Sequence, residues 1–356
     1  MAILNVLSLN PGSSTLKFAL FRDGEPVNRD VVEVDARGIT HAAEEVISRH
    51  PADAIGCRVV HGGARFTAPV RVDDAVLTEI RKLAELAPLH NPLAADVLAA
   101  AQRLAPQTPL VAVFDTSFHQ TLPEVAHTYA VPRELEVRRY GFHGISHAYI
   151  ASRLTRPRLV SCHLGNGASV CAIRDGRSVD TSMGLTPMEG LVMGTRSGDV
   201  DPGLVLHLLR RGMSADEVDD LLNHRSGLLG LSGISGDLRT LEKDGAPGAE
   251  LAMEVFAYRV AKYIGAYAVA LEGLDAVAFT GGIGEHSASM RARICRRLAF
   301  LGITLQDARN QAARGSETRI SADGAPVEVW VVPTDEEAEV ARAVTSVVSR
   351  TTRPTS

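Results

Sequence analysis

Nine consecutive residues near the start of the chain, Leu9-Asn10-Pro11-Gly12-Ser13-Ser14-Thr15-Leu16-Lys17, combine small hydroxyl side chains, a glycine and a closing lysine. Glycine and serine let backbone N–H groups approach an anion closely, and a lysine adds a point charge. That is phosphate-cradle chemistry, although no GxxxxGK[ST] sequence occurs in the chain. Taken alone, the stretch also fits a plain polar hairpin turn. A second Gly-rich bend, His163-Leu164-Gly165-Asn166-Gly167-Ala168-Ser169, lies between apolar runs at 159–162 and 170–173. Arg22-Asp23-Gly24 follows the first bend, and Arg174-Asp175-Gly176 follows the second, 152 residues later. Self-similarity at a fixed offset points to two copies of one supersecondary unit. Two such bends facing each other would hold a polyphosphate between two lobes.

Other chemistry-bearing residues collect where strands end, the place at which α/β proteins bind ligands. Arg58 follows an apolar strand; a buried arginine is rare unless paired, so it answers either a bound carboxylate or phosphate or a structural aspartate. Asp115, in Phe114-Asp115-Thr116-Ser117-Phe118-His119, suits metal–phosphate work or a helix N-cap. Arg196 sits among glycines in Met193-Gly194-Thr195-Arg196-Ser197-Gly198-Asp199; it reads as a flexible arginine reaching a transferring phosphoryl group, or as a surface residue. His143 and His147 have the i, i+4 spacing of a zinc pair, but Gly144 follows His143, no HExxH glutamate is present and no third ligand is evident. Gly282-Ile283-Gly284 imitates a dinucleotide fingerprint, with serine in place of its last glycine. It reads better as a backbone passing close to an adenosine or phosphate.

The elements that must position these residues alternate in type. Strand-like runs at 2–9, 16–22, 27–34, 54–60 and 110–114 are interleaved with helical patterns at 40–49, 74–86 and 92–104, the last with Asn91 as cap and Pro92 at its first position. The second half repeats the scheme, with strands at 159–163, 168–174 and 178–181. A long loop at 184–203 holds five glycines and two prolines, and loops of that length are commonly functional. Helices follow at 203–211 and 214–223, the latter opening on a Ser214/Glu217 capping box, then a Gly-rich stretch at 227–236. The longest helix spans 249–271, with Leu251, Val255 and Tyr258 leading an apolar stripe toward Ile264. A buried strand at 276–280, a tight turn over Gly281-Gly282-Ile283-Gly284-Glu285, a helix at 287–298 and a strand at 327–332 come next. A final helix at 334–348, capped by Thr334 and Glu337, runs into a polar tail at 349–356. Strands alternating with helices mean α/β architecture.

With 356 residues the chain is sized for two domains, and 45% hydrophobic content supplies a core. A net charge of −5 gives no basic excess to neutralise nucleic-acid phosphates, and one tryptophan argues against a base-stacking surface. No run approaches a membrane span, and the short first apolar run lacks a basic lead, so neither a membrane partner nor a signal peptide is expected. Cys57, Cys162, Cys171 and Cys295 are scattered in apolar runs and read as free thiols of a reducing, cytoplasmic compartment.

Taken together these stretches resemble the acetate kinase family, within the actin/hsp70/sugar-kinase superfamily. The motifs, in order, are residues 10–17, 58–63, 89–92, 114–119, 140–147, 163–167, 193–202, 232–239, 280–285 and 333–337. The resemblance implies an α/β, duplicated two-lobe actin-like ATPase (ribonuclease H-like) fold with mixed sheets flanked by helices. Residues 1–147 would form the first lobe, joined by the C-terminal helix 334–348, and residues 148–333 the nucleotide-binding second lobe. It implies ATP-dependent, reversible phosphorylation of acetate to acetyl phosphate. Asn10 and Glu336 would sit near Mg²⁺ (or Mn²⁺). Lys17, His163, Leu164, Gly165, Asn166, Gly167, Asp237, Leu238, Arg239, Gly282, Ile283, Gly284, Glu285 and His286 would line the ATP/ADP site. Arg58 would bind the substrate carboxylate, Asp115 would be the active-site acid, and His143 and Arg196 would stabilise the phosphoryl transition state. A homodimer is implied as well.

The chain departs from the family pattern at Leu238, where an aromatic is frequent, and at His286, where asparagine is usual. It is also short between the first hairpin and Arg58 and between His147 and Leu159, which bears on dimer contacts and substrate trimming. Propionate or butyrate kinase is the near alternative; an NAD-dependent dehydrogenase and a non-enzymatic ATP-gated module are more distant ones.

Overall fold

The computed structural model describes residues 4–12, 14–35, 37–88 and 90–351. Ala2 and Ile3 of the expected first strand, Ser13 of the first bend, Leu89 of the 89–92 motif and the last five residues of the tail lie outside them. Two compact units divide the chain: Met1–Gln120, Phe142–Tyr149 and Asp335–Ser356 form one, Thr121–Gly141 and Ile150–Thr334 the other.

The first unit is built on a six-stranded mixed sheet. Its strands are β1 (Asn5–Pro11), β2 (Thr15–Arg22), β3 (Glu25–Glu33), β4 (Ala54–Val59), β5 (Val70–Arg71) and β6 (Leu110–Phe114), in the order β3-β2-β1-β4-β6-β5. β1, β2 and β3 form an antiparallel meander, while β4 runs parallel to both β1 and β6. Side chains alternate across the sheet. Leu7, Leu9, Leu16, Phe18 and Cys57 face the helices Gly38–Arg49 and Asn91–Leu104. Val6, Ala19, Phe21, Val111 and Val113 face Val340, Ala341 and Val344 of the helix Glu336–Thr351. Gly56 lies beneath that helix, where a Cβ would come 2.5 Å from Val344 and 2.7 Å from Val340.

The second unit repeats the plan with β7 (Arg158–Leu164), β8 (Ala168–Arg174), β9 (Arg177–Thr181), β10 (Ala276–Thr280), β11 (Thr318–Arg319) and β12 (Glu328–Val331), ordered β11-β12-β10-β7-β8-β9. Again a meander is followed by parallel pairing, here of β10 with β7 and β12. The likeness extends to single residues. Asn5 faces Arg22 in the first hairpin, and Arg158 faces Arg174 in the second. The outgoing strands are thus offset by 153 and the returning strands by 152, because the second bend is one residue shorter. Each meander shifts register at the same place, between Leu20 and Phe21 and between Ala172 and Ile173. Each closes on an Asp-Gly pair in the left-handed region, with φ of 50° and 86° at Asp23 and Gly24 and of 49° and 77° at Asp175 and Gly176. Two consecutive positive φ values are what a two-residue hairpin matching the sheet twist demands.

Several local expectations are corrected. Asn91 does not cap its helix; it is the first helical residue, and its buried carboxamide bridges the backbone N–H and C=O of His61. The final helix is capped not by Thr334 and Glu337 but by Asp335, which accepts from the Ala338 N–H at 2.9 Å. Gly281 opens a short helix, Gly281–His286, in place of a tight turn. The longest helix, Pro247–Ala270, buries Ala252, Phe256, Val260 and Ile264 and leaves Leu251 and Tyr258 about half exposed, at 56% and 49%. The expected stripe is therefore exposed at Leu251 and Tyr258 and buried at its Ile264 end. The helix packs against the helix Gly227–Ser232. The edge strands β5 and β11, two residues each, and the helix Asp307–Ala312 had no expectation attached.

Replacing Gly56 by alanine is expected to destabilise the protein by about 1–3 kcal/mol, the usual cost of overpacking, because stiff valines press on the site. The midpoint of urea unfolding measures this; an unchanged midpoint would mean that the last helix is not seated on β4.

Candidate active site

Parallel pairing of β1, β4 and β6 brings their C-terminal ends to one edge of the first sheet, and three polar residues stand there. Arg58 donates from Nε to both oxygens of Asp115 at 3.1 Å and from Nη2 to Oδ2 at 2.6 Å. Its Nη1 donates to Asn10 Oδ1 at 3.0 Å. The Asn10 Nδ2 in turn donates to Glu336 Oε2 at 3.2 Å and Glu337 Oε1 at 3.1 Å, both in the first turn of the last helix. Asp115 is 1% exposed and the Arg58 side chain 20%. Burial works against the Arg58 charge, but Asp115, with Glu336 and Glu337, outweighs it and holds the guanidinium pKa above its ordinary value. Burial pushes the Asp115 carboxyl up, with the Arg58 charge and hydrogen bonds opposing. The structural Arg–Asp pair is therefore present, and Asp115 serves Arg58 where a helix cap was one expectation. The pairing leaves Arg58 one further N–H on each terminal nitrogen, so a carboxylate can still be received by a guanidinium already fixed in place.

His143 adopts φ +55°, and the Gly144 backbone after it lies so close to Asp115 that a Cβ there would fall 1.9 Å from the Asp115 carbonyl oxygen. Only glycine permits this approach, which holds the backbone that follows His143 against that of Asp115. Lys17 faces Asn10 in the β1–β2 register and is exposed; residues directly opposed in an antiparallel pair share a face.

In the second unit a cavity of about 670 Å³ is lined by Gly165, Asn166, Gly236, Asp237, Leu238, Arg239, Glu242, Gly282, Ile283, His286 and Ser287. The second Gly-rich bend, the 236–239 stretch and the helix after β10 thus converge, and among the lining residues Gly165, Asn166, Asp237, Leu238, Arg239, Gly282, Ile283 and His286 are ones that the resemblance implied. Asp237 caps the helix Leu238–Asp244 and clamps the Arg239 guanidinium, whose hydrogen bonds hold the Asp237 carboxyl below its usual range. Leu238 is buried and gives the cavity an aliphatic wall.

His163, Leu164, Gly167, Gly284 and Glu285 are not among the lining residues. Glu285 is corrected outright: its carboxylate turns back to accept from the Gly281 N–H at 2.9 Å and the Thr334 N–H at 3.1 Å, closing the start of its own helix. Gly236, Glu242 and Ser287 had escaped notice, with Ser287 Oγ donating to Glu242 at 2.5 Å. Gly236 and Ser287 adjoin expected residues, and Glu242 lies one helical turn beyond Leu238.

Arg196 belongs to a segment with no helix or strand between Thr181 and Pro202, yet the segment is tethered throughout. The Gly194 N–H donates to the Asn166 carbonyl, Leu228 N–H to Met193, Ser197 N–H to Leu222, and Tyr263 Oη to Asp199 at 2.6 Å. Gly227, at φ +62°, leaves room for the Met193 carbonyl, which a Cβ would meet at 2.3 Å. The expected flexible arginine is instead held on a fixed loop. Its Nη1 donates to the Pro187 carbonyl at 2.6 Å, and among the described residues it forms no ion pair with a carboxylate. Burial alone acts on its pKa, pushing it down. A desolvated guanidinium with one neutral acceptor is complementary to an anion.

Replacing Asp115 by alanine is expected to cost about 3–5 kcal/mol of stability, since it strands a buried guanidinium. Urea unfolding measures this, and a loss below about 1 kcal/mol would show that water reaches Arg58 freely.

Comparison with known proteins bears on this arrangement. The profile of the Acetokinase family matches residues 36–342. An acetate kinase of Heliobacterium modesticaldum is 46% identical over 95% of this chain and 98% of its own length, in an alignment of 389 positions, more than this chain has residues. Among solved structures, the acetate kinase of Porphyromonas gingivalis superposes with a TM-score of 0.88 at 38% identity, covering 97% of this chain and 100% of its own. A propionate kinase from Francisella tularensis does so with a TM-score of 0.88 at 36% identity, covering 96% and 99%. With the family profile matching residues 36–342 and similarity running nearly end to end, this chain belongs to the acetokinase family.

Proposed function

We propose that the protein catalyses the reversible, ATP-dependent phosphorylation of acetate to acetyl phosphate. The observation that carries this reading is Arg58: a guanidinium held rigid by Asp115 and Asn10, with donors left over for one small carboxylate. Family membership supports ATP as the co-substrate. A carboxylic acid of this kind is ionised at neutral pH, so no general base is required. One carboxylate oxygen attacks the γ-phosphorus, the bond to the β–γ bridging oxygen breaks, and ADP departs with that electron pair. The protein's task is alignment and charge neutralisation.

In this reading Arg58 receives the carboxylate, and Asp115 fixes Arg58. Arg196, desolvated and without an acidic partner, takes the transferring phosphoryl group, and His143 donates a hydrogen bond to one of its oxygens. The cavity accepts the nucleoside, with Gly165, Asn166, Gly282 and Ile283 offering backbone and Asp237, Leu238, Arg239 and His286 side chains; Lys17 extends toward the phosphates.

Glu336 and Glu337 converge on one amide nitrogen of Asn10, a donor set of carboxylates that suits a hard cation keeping several waters and phosphate oxygens. Mg²⁺ or Mn²⁺ held there would neutralise phosphate charge. A homodimer is supported by Leu204, Leu206 and Leu209, exposed on the helix Pro202–Arg210, and a cytoplasmic setting by four free, buried cysteines. Propionate is a second acceptor worth testing, because one solved relative is described as a propionate kinase.

A hydroxamate assay with ATP, Mg²⁺ and acetate, propionate or butyrate tests the reading. Acetyl phosphate formation is expected, with Arg58→Ala and Arg196→Ala each lowering kcat by about 10²-fold or more. Turnover close to that of the unaltered protein in either variant would remove the assigned roles, and no acyl phosphate from any of the three acids would remove the reaction.

A further inference from the structure

We infer that Arg291 is a positioning residue for the nucleotide cavity, fixing the helix Gly281–His286 whose residues Gly282, Ile283 and His286 line it. This rests on the nucleotide reading of that cavity. Arg291 is the largest fully buried side chain among the described residues, 1% exposed, and it forms no ion pair with a carboxylate there. Its planar fork reaches two ways. Nη1 donates to the carbonyls of Gly284 and Glu285, both at 2.9 Å. On the other side Nε donates to Asn310 Oδ1 at 2.8 Å and Nη2 to the Asn310 carbonyl at 2.7 Å. The guanidinium thus joins the last turn of the cavity helix to the helix Asp307–Ala312.

Carbonyls at the end of a helix have no partner within it, and burying them unpartnered is costly. Here one side chain satisfies two of them. Glu285 secures the opening turn of the same six-residue helix through the Gly281 N–H. The helix is therefore pinned at both ends by side chains that point away from the cavity, while Gly282 stays open to it, with no atom within 4 Å of where a Cβ would stand. Burial pushes the Arg291 pKa down to about 10, so at neutral pH it remains a cation whose surroundings are neutral dipoles. A hydrophobic residue of equal volume would pack there at no electrostatic cost; it could not hold the carbonyls. Lysine keeps the charge but lacks the rigid fork needed to span both sides.

The test measures binding of a fluorescent ADP analogue, with KM for ATP and for acetate and the thermal midpoint, in Arg291→Met and Arg291→Lys. We expect the analogue's Kd and the KM for ATP to rise about tenfold in Arg291→Met and less in Arg291→Lys, with KM for acetate within about twofold of the unaltered protein. An unchanged Kd in a folded Arg291→Met, or parallel rises in both KM values, overturns the inference. If Arg291→Met does not fold, Asn310→Ala decides: it removes the far-side acceptor of Arg291 Nε, keeps the Asn310 carbonyl that accepts from Nη2, and alters no residue of the cavity helix. A several-fold weaker Kd there supports the inference, and an unchanged Kd overturns it. Failure of the unaltered protein to bind the analogue would instead overturn the nucleotide reading and this inference with it.

Discussion

Taking a guanidinium out of water costs several kcal/mol unless its donors and its charge are answered. Arg58 is the place where this constraint organises the most structure. Its partners come from the end of β1, from the residue after β6 and, through Asn10, from the first turn of the last helix. Those segments are distant in sequence, and the parallel order β1-β4-β6 is what delivers them to one edge. The apolar faces of the sheet determine that the unit is compact. The buried charge determines which ends must meet and in which orientation, because a displaced Asn10 or Asp115 would leave donors unanswered where solvent is scarce. Arg291 meets the same constraint with carbonyls and a carboxamide. Arg196 meets it only in part, with one carbonyl.

The two units show how one scaffold supports unlike chemistry. Strand pairing, the register shift and the left-handed Asp-Gly closure recur residue for residue. The difference lies in the bend, shorter by one residue in the second unit, and in what flanks it. The register that opposes Asn10 and Lys17 opposes His163 and Ser169 in the copy. The first bend therefore stands beside an amide and a lysine close to carboxylates. The second presents Gly165 and Asn166 to a cavity. Conserved backbone geometry with altered bend chemistry is economical: the strands need only keep their apolar alternation, and the bends are free to change.

Much of this was legible in the sequence, and the limits have identifiable causes. The hairpins and the alternation of strand and helix follow from local pattern, since bends and strand ends are marked by residue type, while the convergence of Gly165, Asn166, Asp237 and Gly282 was implied by the family resemblance. What was missed depends on tertiary choice. Asn91 looks like a cap in any sequence, yet the backbone of His61 claims its carboxamide. Leu251 and Tyr258 have the right spacing for a buried stripe, but Ala252, Phe256 and Val260, on another side of the helix, take the core. Glu285 sits inside a glycine motif and still turns away from the cavity. Arg291 lies in a run with Arg293, Arg296 and Arg297 and drew no expectation; Arg293 and Arg297 reach Glu254 at the surface, and Arg291 is the one buried. Strands of two residues such as β5 carry too few positions for any period to register.

The loop that carries Arg196 bears on the catalytic role proposed for it. It lacks regular structure, but irregular backbone need not be mobile. Its amides and carbonyls are claimed by Asn166, Leu222, Leu228 and Leu229, and glycines at 194 and 227 allow approaches that any Cβ would block. An electrostatic catalyst is effective when its dipoles and charges are already oriented before charge develops, because no reorganisation is then required during the reaction. A guanidinium desolvated and fixed on such a loop is in that condition beforehand. The cost of leaving its charge without a carboxylate is borne by the folded state, and in the role proposed for Arg196 an arriving phosphoryl group would relieve it. A surface arginine would gain little from the same anion, since water would already have solvated it. In the proposed role, the hydrogen-bonded fixity of the loop and the incomplete satisfaction of Arg196 would be two parts of one device, neither useful without the other.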